Sequence, residues 1–179
     1  TCEFIPEPVC GNNIKEGNEQ CDGSAEPGYT CVDCQLIEDE DNCIEEKSIF
    51  SDLNDMVEEG DNAVATYMHG GWSADIPGAT WIWNNYTVID STQEETVTFV
   101  KEFVVVGQPL SGAIDIATDN NYTIWVNGVP VGASADENNF ASGTQNTWDV
   151  TVVLQPGTNE LKVSVTNWGI SGSTAQSNP

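Results

Sequence analysis

"DNNYTIWVNGVPVG", residues 119–132, decides the fold. Asn127-Gly128 lies between two short runs rich in Val, Ile, Tyr and Trp. A two-residue loop joining paired strands is a type I′ turn when both central residues take φ > 0, and Asn-Gly tolerates this best. The reading is a tight β-hairpin. In its first arm Tyr122, Ile124 and Val126 share one face, and Thr123 and Trp125 share the other, because strand side chains alternate. Pro130 has no N–H to donate, which places the returning strand at a sheet edge. Backbone geometry therefore explains Asn127-Gly128 without a ligand. The Asp119-Asn120-Asn121 loop before it is the part left open to a function.

The same texture runs outward from the hairpin. Strands are expected over residues 63–67, 80–83, 96–106, 113–118, 122–126, 129–131, 148–154 and 160–166. In the last, Leu161, Val163 and Val165 face one way and Lys162, Ser164 and Thr166 the other, a half-buried strand. Trp148, Val150, Val152 and Leu154 repeat the pattern, and "QPGTN", residues 155–159, is read as the turn between the two. Long helical periodicity is missing. Many short strands with regular turns predict a β-sandwich or barrel.

Charge excludes several partners. The chain has 179 residues, with 29 acids against four Lys and no Arg, a net charge of −25. Nucleic-acid binding needs basic side chains to displace counterions from phosphates. Anionic membrane surfaces are disfavoured for the same reason. No apolar run is long enough to span a bilayer, so no membrane insertion is expected.

Residues 1–44 read differently. This segment is poor in apolar residues and holds all six cysteines: Cys2, Cys10, Cys21, Cys31, Cys34 and Cys43. So small a unit cannot bury enough apolar surface to hold itself together. An even, tightly clustered set reads as a disulfide framework, which implies a secreted protein in an oxidising compartment. The pairing is open, with fifteen possibilities. Cys31-x-x-Cys34 alone lacks the second Cys pair of a zinc ribbon. "IEDEDNCIEE", residues 37–46, is a charge run; residues 36–46 are read as a boundary, and the sandwich is placed at 47–179.

Two resemblances follow from these stretches. "CGNNIKEGNEQCDGSAEPGYTCVDCQ", residues 10–35, resembles the cysteine-rich repeat of secreted bacterial surface proteins and pappalysin-type metalloproteases. That implies a stapled spacer, calcium-binding in some settings, without catalysis. "PGATWIW" (77–83), "TFVKEFVV" (98–105), "ATDNNYTIWVNGVPVG" (117–132) and "WDVTVVLQPGTNELKVSVTNWG" (148–169) resemble in their succession the galactose-binding-domain-like jelly roll. The similarity is to the accessory sandwiches of large glycoside hydrolases and of bacterial surface proteins. It implies a jelly-roll-like fold and a carbohydrate-binding, adhesive or structural role. In that family a further strand follows the Asn-Trp-Gly region, whereas residues 173–179 read "STAQSNP". The expectation is a sandwich lacking its last strand. An open edge recruits strands from neighbours, and "TCEFIPEPVC" at residues 1–10 is a conceivable donor.

Candidate site residues are weighed on chemistry. His69 is the sole histidine, and it reads as a polar residue before the Gly70-Gly71 turn. No nucleophile or opposed pair of carboxylates can be singled out, so no catalytic residue is assigned and the protein is read as a non-enzyme. Aromatic faces stack on sugar C–H groups, with amides beside them. Trp72 and Trp168, next to Gly-rich turns, and Asn120 and Asn121 are the expected ligand-binding residues. Of Trp81 and Trp83, and at Trp148, a core role is expected. Calcium takes hard oxygen donors. Glu19, Asp22 and Asp33 in the first unit, and Asp119, Asn120, Asp136 and Glu137 in the second, are the metal candidates, and jelly rolls of the resembled family often carry such an ion. Asn85 and Asn121 stand in Asn-x-Thr glycosylation sequons. The expected partners are a glycan or neighbouring copies of the chain. The leading reading is a surface module that binds carbohydrate or adheres. The alternatives are a structural protomer of an extracellular filament joined by strand exchange, and an accessory domain of a larger secreted enzyme.

Overall fold

The computed structural model describes residues 10–12, 14–15, 17, 19–25, 29–38, 45–58 and 60–179. The chain divides into two compact units, Thr1–Ser48 and Ile49–Pro179.

In the first unit β1 (Tyr29–Val32) and β2 (Gln35–Glu38) form a small antiparallel ladder. Its turn places Asp33 and Cys34 at positive φ, 49° and 60°. Two disulfides staple the unit, Cys10–Cys34 and Cys21–Cys31. The two sulfurs of Cys31-x-x-Cys34 thus serve different bridges, which removes a redox pair. Cys2 and Cys43 lie outside the described residues.

The second unit is mainly β. Its strands are β3 (Met56–Val57), β4 (Val64–Ala65), β5 (Ile82–Trp83), β6 (Glu95–Val105), β7 (Ala113–Ile116), β8 (Asn121–Val126), β9 (Val129–Ser134), β10 (Asn146–Asp149) and β11 (Gly157–Asn167). No α-helix occurs among the described residues. A five-stranded antiparallel sheet runs β3-β6-β11-β8-β9, and the ladders β7–β10 and β4–β5 complete a jelly-roll-like sandwich. The long pair β6–β11 keeps register from Gly157↔Val105 to Asn167↔Glu95.

The inner face of the large sheet carries Val97, Phe99, Tyr122, Ile124 and Val165 into one core with Trp83 and Ile116. The period-two reading of β8 holds: Tyr122, Ile124 and Val126 are buried, and Thr123 and Trp125 lie on the outer face. The hairpin closes with φ of 52° at Asn127 and 76° at Gly128. Pro130 sits on the edge strand β9, beside a register shift between Ile124 and Trp125. Outward rows of Thr and Ser cross the sheet, with Thr96–Thr166 hydroxyls at 2.8 Å and Thr98–Ser164 at 3.2 Å.

Residues 148–154 depart from expectation. The strand ends at Asp149, and Thr151–Val153 form a 3-10 turn. Asp149 Oδ1 accepts the Thr151 N–H at 2.9 Å, a local bond that competes with the ladder. Val150 remains buried, but Val152 points into solvent. Because β10 and β11 belong to different sheets, "QPGTN" is a crossing and not a hairpin.

Core closure on β9 requires a glycine. A Cβ at Gly132 would run into the indole of Trp148. That ring is fixed by its N–H donating to Tyr122 Oη at 2.9 Å. Overpacking of this kind costs about 1–3 kcal/mol. Gly132→Ala is expected to lower the urea midpoint accordingly, and a midpoint within error of wild type would show that Trp148 has room to move.

Candidate functional site

One end of the sandwich gathers the residues that the sequence singled out. The Asp119-Asn120-Asn121 loop leads into β8. It is tied to the end of β11 by Asn120 N–H donating to Thr166 O at 3.0 Å. The Asn120 side chain is buried. Its Nδ2 donates to Asp119 Oδ1 at 2.7 Å and to Glu137 O at 3.2 Å, and its Oδ1 accepts the Trp168 N–H at 2.7 Å. Asn121 Oδ1 accepts the Trp168 indole N–H at 2.6 Å. Burying an amide requires that its bonds be made inside, and here they are. Both amides position Trp168, and Asn120 keeps no N–H to offer a ligand.

Trp72 is held in the same manner. Its indole N–H donates to Asp119 Oδ2 at 2.8 Å. The ring stacks on Trp81, with centroids 4.6 Å apart and planes 21° from parallel. His69 approaches Trp72 edge-on at 6.3 Å, and His69 Nδ1 accepts the Gly71 N–H at 3.3 Å. Residues 119 and 121 thus each anchor an indole, Trp72 and Trp168. All three tryptophans and His69 are half-buried. Sequence reasoning treated His69 as a turn residue and put a core role on the pair Trp81 and Trp83. Trp83 is buried in the core, while Trp81 joins the stack. Period two puts both indoles on one face but does not say which one is covered.

Electrostatics single out Asp119. Burial pushes its carboxyl above the usual range, and the Glu137 charge adds to this; the Trp72 N–H bond and the His69 charge oppose it. A raised folded pKa makes this group's stability contribution greatest below the unfolded value of about 3.8. The contribution falls as pH rises through the folded pKa. Ionised Asp119 is therefore a desolvated charge, kept in place by the Trp72 N–H.

A neighbouring loop closes the site. Ser73 and Ala74 N–H groups both donate to Phe140 O, at 3.0 and 2.9 Å. Asn139, almost wholly buried, spans the loop. Its Nδ2 donates to Asn120 O and Asp136 O, each at 2.8 Å, and its Oδ1 accepts from Ser134 Oγ at 3.0 Å.

Among the described residues, no three of the expected acidic metal ligands converge. Among the described residues, the one group of three titratable ligands is Cys10, Asp22 and Cys34, and its two sulfurs are joined to each other. Asp22 Oδ1 accepts the N–H groups of Gly11 and Asn12, so it braces a turn. Glu19 is half-buried before Cys21, and Asp33 occupies the β1–β2 turn. In the second unit Asp136 Oδ1 accepts the Asn138 N–H at 2.8 Å, and Glu137 is exposed. Asp119 spends its oxygens on Trp72 and Asn120. Asn85 is exposed in a bend, and Asn121 is half-buried.

No family model and no curated protein matches the chain. Solved structures match parts of it. A rhamnosidase from Novosphingobium sp. PP1Y is 21% identical over 47% of this chain and 9% of its own, with a TM-score of 0.33. A β-glucuronidase from Ruminococcus gnavus is 16% identical over 42% of this chain and 13% of its own, at 0.36. An FMN-binding β-glucuronidase from Facaelibacterium prausnitzii L2-6 is 22% identical over 49% of this chain and 15% of its own, at 0.34. Each likeness is to a small share of a much longer chain.

Proposed function

We propose that the second unit is a non-catalytic, galactose-binding-like module of an extracellular protein, and that it binds carbohydrate through the Trp72 end of the sandwich. The observation that carries this is the Trp72–Trp81 stack, with Trp72 fixed by Asp119 and His69 at its edge. Indole faces complement the C–H faces of a pyranose, and rings locked in advance lose little freedom on binding. Glu137 and the His69 ring supply polar groups that would orient hydroxyls. The two disulfides of the first unit fit an oxidising compartment. No helix among the described residues is long and apolar enough to cross a membrane. The reading assigns no metal and no catalytic residue.

A glycan array followed by calorimetry tests it. The wild-type chain is expected to bind a defined set of glycans. Trp72→Ala is expected to weaken that binding at least about tenfold, the scale of losing one stacked ring of about 1.5 kcal/mol, while the fold is retained. An array with no binder, repeated with calcium, would refute the reading.

A further inference from the structure

Three oxygen-bearing side chains meet on the inner face of the large sheet, where β6 begins and β11 ends. Glu95 opens β6, Asn167 closes β11, and the two are directly paired. Directly paired residues point to the same face. Val97 and Val165, two residues in on each strand, belong to the core, so that face is the inner one. Asn84 follows Trp83 and reaches the same carboxylate. Its Nδ2 donates to Glu95 Oε1 at 3.2 Å, beside the Trp83 indole N–H at 3.3 Å. The Ile89 N–H donates to Glu95 Oε2 at 3.0 Å. The loop after β5 is thereby drawn onto the carboxylate that faces Asn167.

The two amides share one feature. Asn84 Oδ1 and Asn167 Oδ1 are both buried and find no hydrogen-bond donor among the described residues. Asn167 as a whole is 3% exposed. Turning the amides over does not help. Asn84 Nδ2 is held by the Glu95 carboxylate, and Asn167 Nδ2 donates to the Pro179 carbonyl at 2.6 Å. Both of those partners only accept, so each amide keeps its NH2 there and its oxygen on the other side. A buried oxygen without a donor calls for a ligand. Here the converging groups are all acceptors: two amide oxygens and a carboxylate with lone pairs to spare. A water would satisfy both amides but meet no donor for its own oxygen. Both lysines of the second unit are engaged elsewhere, Lys101 with Asp52 and Asp55 and Lys162 with Glu58. A bound cation is the complement that such a set lacks.

We infer that Asn84, Glu95 and Asn167 form a calcium site, with the two amide oxygens and the Glu95 carboxylate as its protein ligands. Calcium takes hard oxygen donors, amide and carboxylate alike, in flexible geometry. Affinity follows ligand charge, and a single carboxylate places this site at the weak end, with a dissociation constant of about 10⁻⁴–10⁻³ M. None of the three residues stands among the metal candidates of the sequence, since two are amides in an Asn-rich chain and only burial marks them out. The ion would tie the loop after β5 to the end of β11, one residue before Trp168. Its presence depends on no glycan, so the site stands apart from the carbohydrate reading.

Nuclear magnetic resonance of the full, nitrogen-labelled chain tests this, because a surface so acidic gathers any counter-ion and a bulk binding measurement would not locate it. Calcium chloride is titrated against sodium chloride at matched ionic strength. The side-chain amides of Asn84 and Asn167 and the Trp83 indole N–H are expected to shift together and saturate with calcium, while the Trp125 indole on the outer face does not. Two variants at the half-buried Asn84 sharpen the result. Asn84→Ala removes one ligand oxygen and is expected to weaken calcium at least about tenfold, with the fold retained. Asn84→Asp sets a second carboxylate beside Glu95. It is expected to melt below wild type in EDTA, to recover on adding calcium, and to bind calcium at least about tenfold more tightly. An equal response to sodium, saturating shifts that miss these three groups, or an Asn84→Asp variant that binds no more tightly overturns the inference. Contacts from the Asn84 and Asn167 amides to a long-lived water, with no response to calcium, also overturn it and assign the two oxygens to solvent.

Discussion

Lys101→Met is expected to destabilise the second unit by about 3 kcal/mol in urea denaturation, a cost set by the charge left behind. Lys101 projects from β6 and its ammonium binds Asp55 Oδ1, Asp52 Oδ2 at 3.2 Å and the Phe50 carbonyl at 2.7 Å. The Asp55 side chain is only 7% exposed, whereas that of Lys101 is 22% exposed. Breaking a buried pair from the cation side strands a carboxylate, which costs about 3–5 kcal/mol when burial is complete. The partly open ammonium places this case at the low end. Two further results should accompany the loss. Met fills the aliphatic volume, so the double variant Lys101→Met/Asp55→Leu, with no charge stranded, is expected to recover much of it. The wild-type contribution should also disappear at high pH. Burial alone would lower the Lys101 pKa, but the hydrogen bonds and charges of Asp55 and Asp52 outweigh it and hold it above 10.5. The stabilisation is thus complete below the unfolded pKa of about 10.5 and is lost as pH rises through the folded value. A loss under about 1 kcal/mol for Lys101→Met at neutral pH would show that Asp55 finds water.

How far the sequence carries the fold depends on the range of the forces involved. The hairpin was legible because its determinants are local: Asn127-Gly128 at positive φ and a clean alternation on β8. Val152 was misplaced because alternation over residues 148–154 said strand, while a single local bond from Asp149 stopped the ladder first. The short edge strand β3 carries too few residues for any period, and it is held by Met56↔Val100 and Val57↔Phe99 across a long sequence gap. At the site, Trp72 and Trp168 were visible as indoles near turns. The stacking partner Trp81 was not, since period two cannot say which of two indoles on one face is covered. Asn120 and Asn121 drew attention as amides beside an aromatic arm, and the structure gives their bonds to Trp168 and the loop. In a chain this rich in Asn, burial separates an amide that braces the backbone from one that meets solvent, and burial is a property of the folded chain.

Asn139 offers the sharpest test of that distinction. It is 1% exposed and satisfies four groups around it: the Asn120 and Asp136 carbonyls, the Ser134 hydroxyl and, at 3.3 Å, the Asn146 amide. Asn139→Leu preserves approximate volume but removes every one of these bonds. Thr118 Oγ1 still serves Asn120 O at 2.8 Å, and Asn146 Nδ2 still reaches Thr144 O at 3.3 Å, so the Asp136 carbonyl and the Ser134 hydroxyl proton, whose oxygen keeps only the Asp136 N–H, bear the loss. A buried group left without a partner costs about 1–3 kcal/mol. Two such groups, with a branched aliphatic where an amide fitted, give an expected destabilisation of about 3 kcal/mol. The damage should be local before it is global. Phe140 follows Asn139 and its carbonyl holds the Ser73 and Ala74 N–H groups, so those two amides are expected to exchange with solvent faster while the β6 and β11 amides keep their protection. Trp72 precedes Ser73, and glycan affinity should fall with the loop. Asn139→Asp discriminates further. It keeps the shape and the Ser134 bond but sets a carboxylate against the Asn120 and Asp136 carbonyls, which only a protonated oxygen can bond. Its stability should therefore recover as pH falls through the variant carboxyl's pKa, unlike that of Asn139→Leu. Unchanged exchange at Ser73 and Ala74 in Asn139→Leu would mean that the loop is held by its backbone turns and that Asn139 merely fills space.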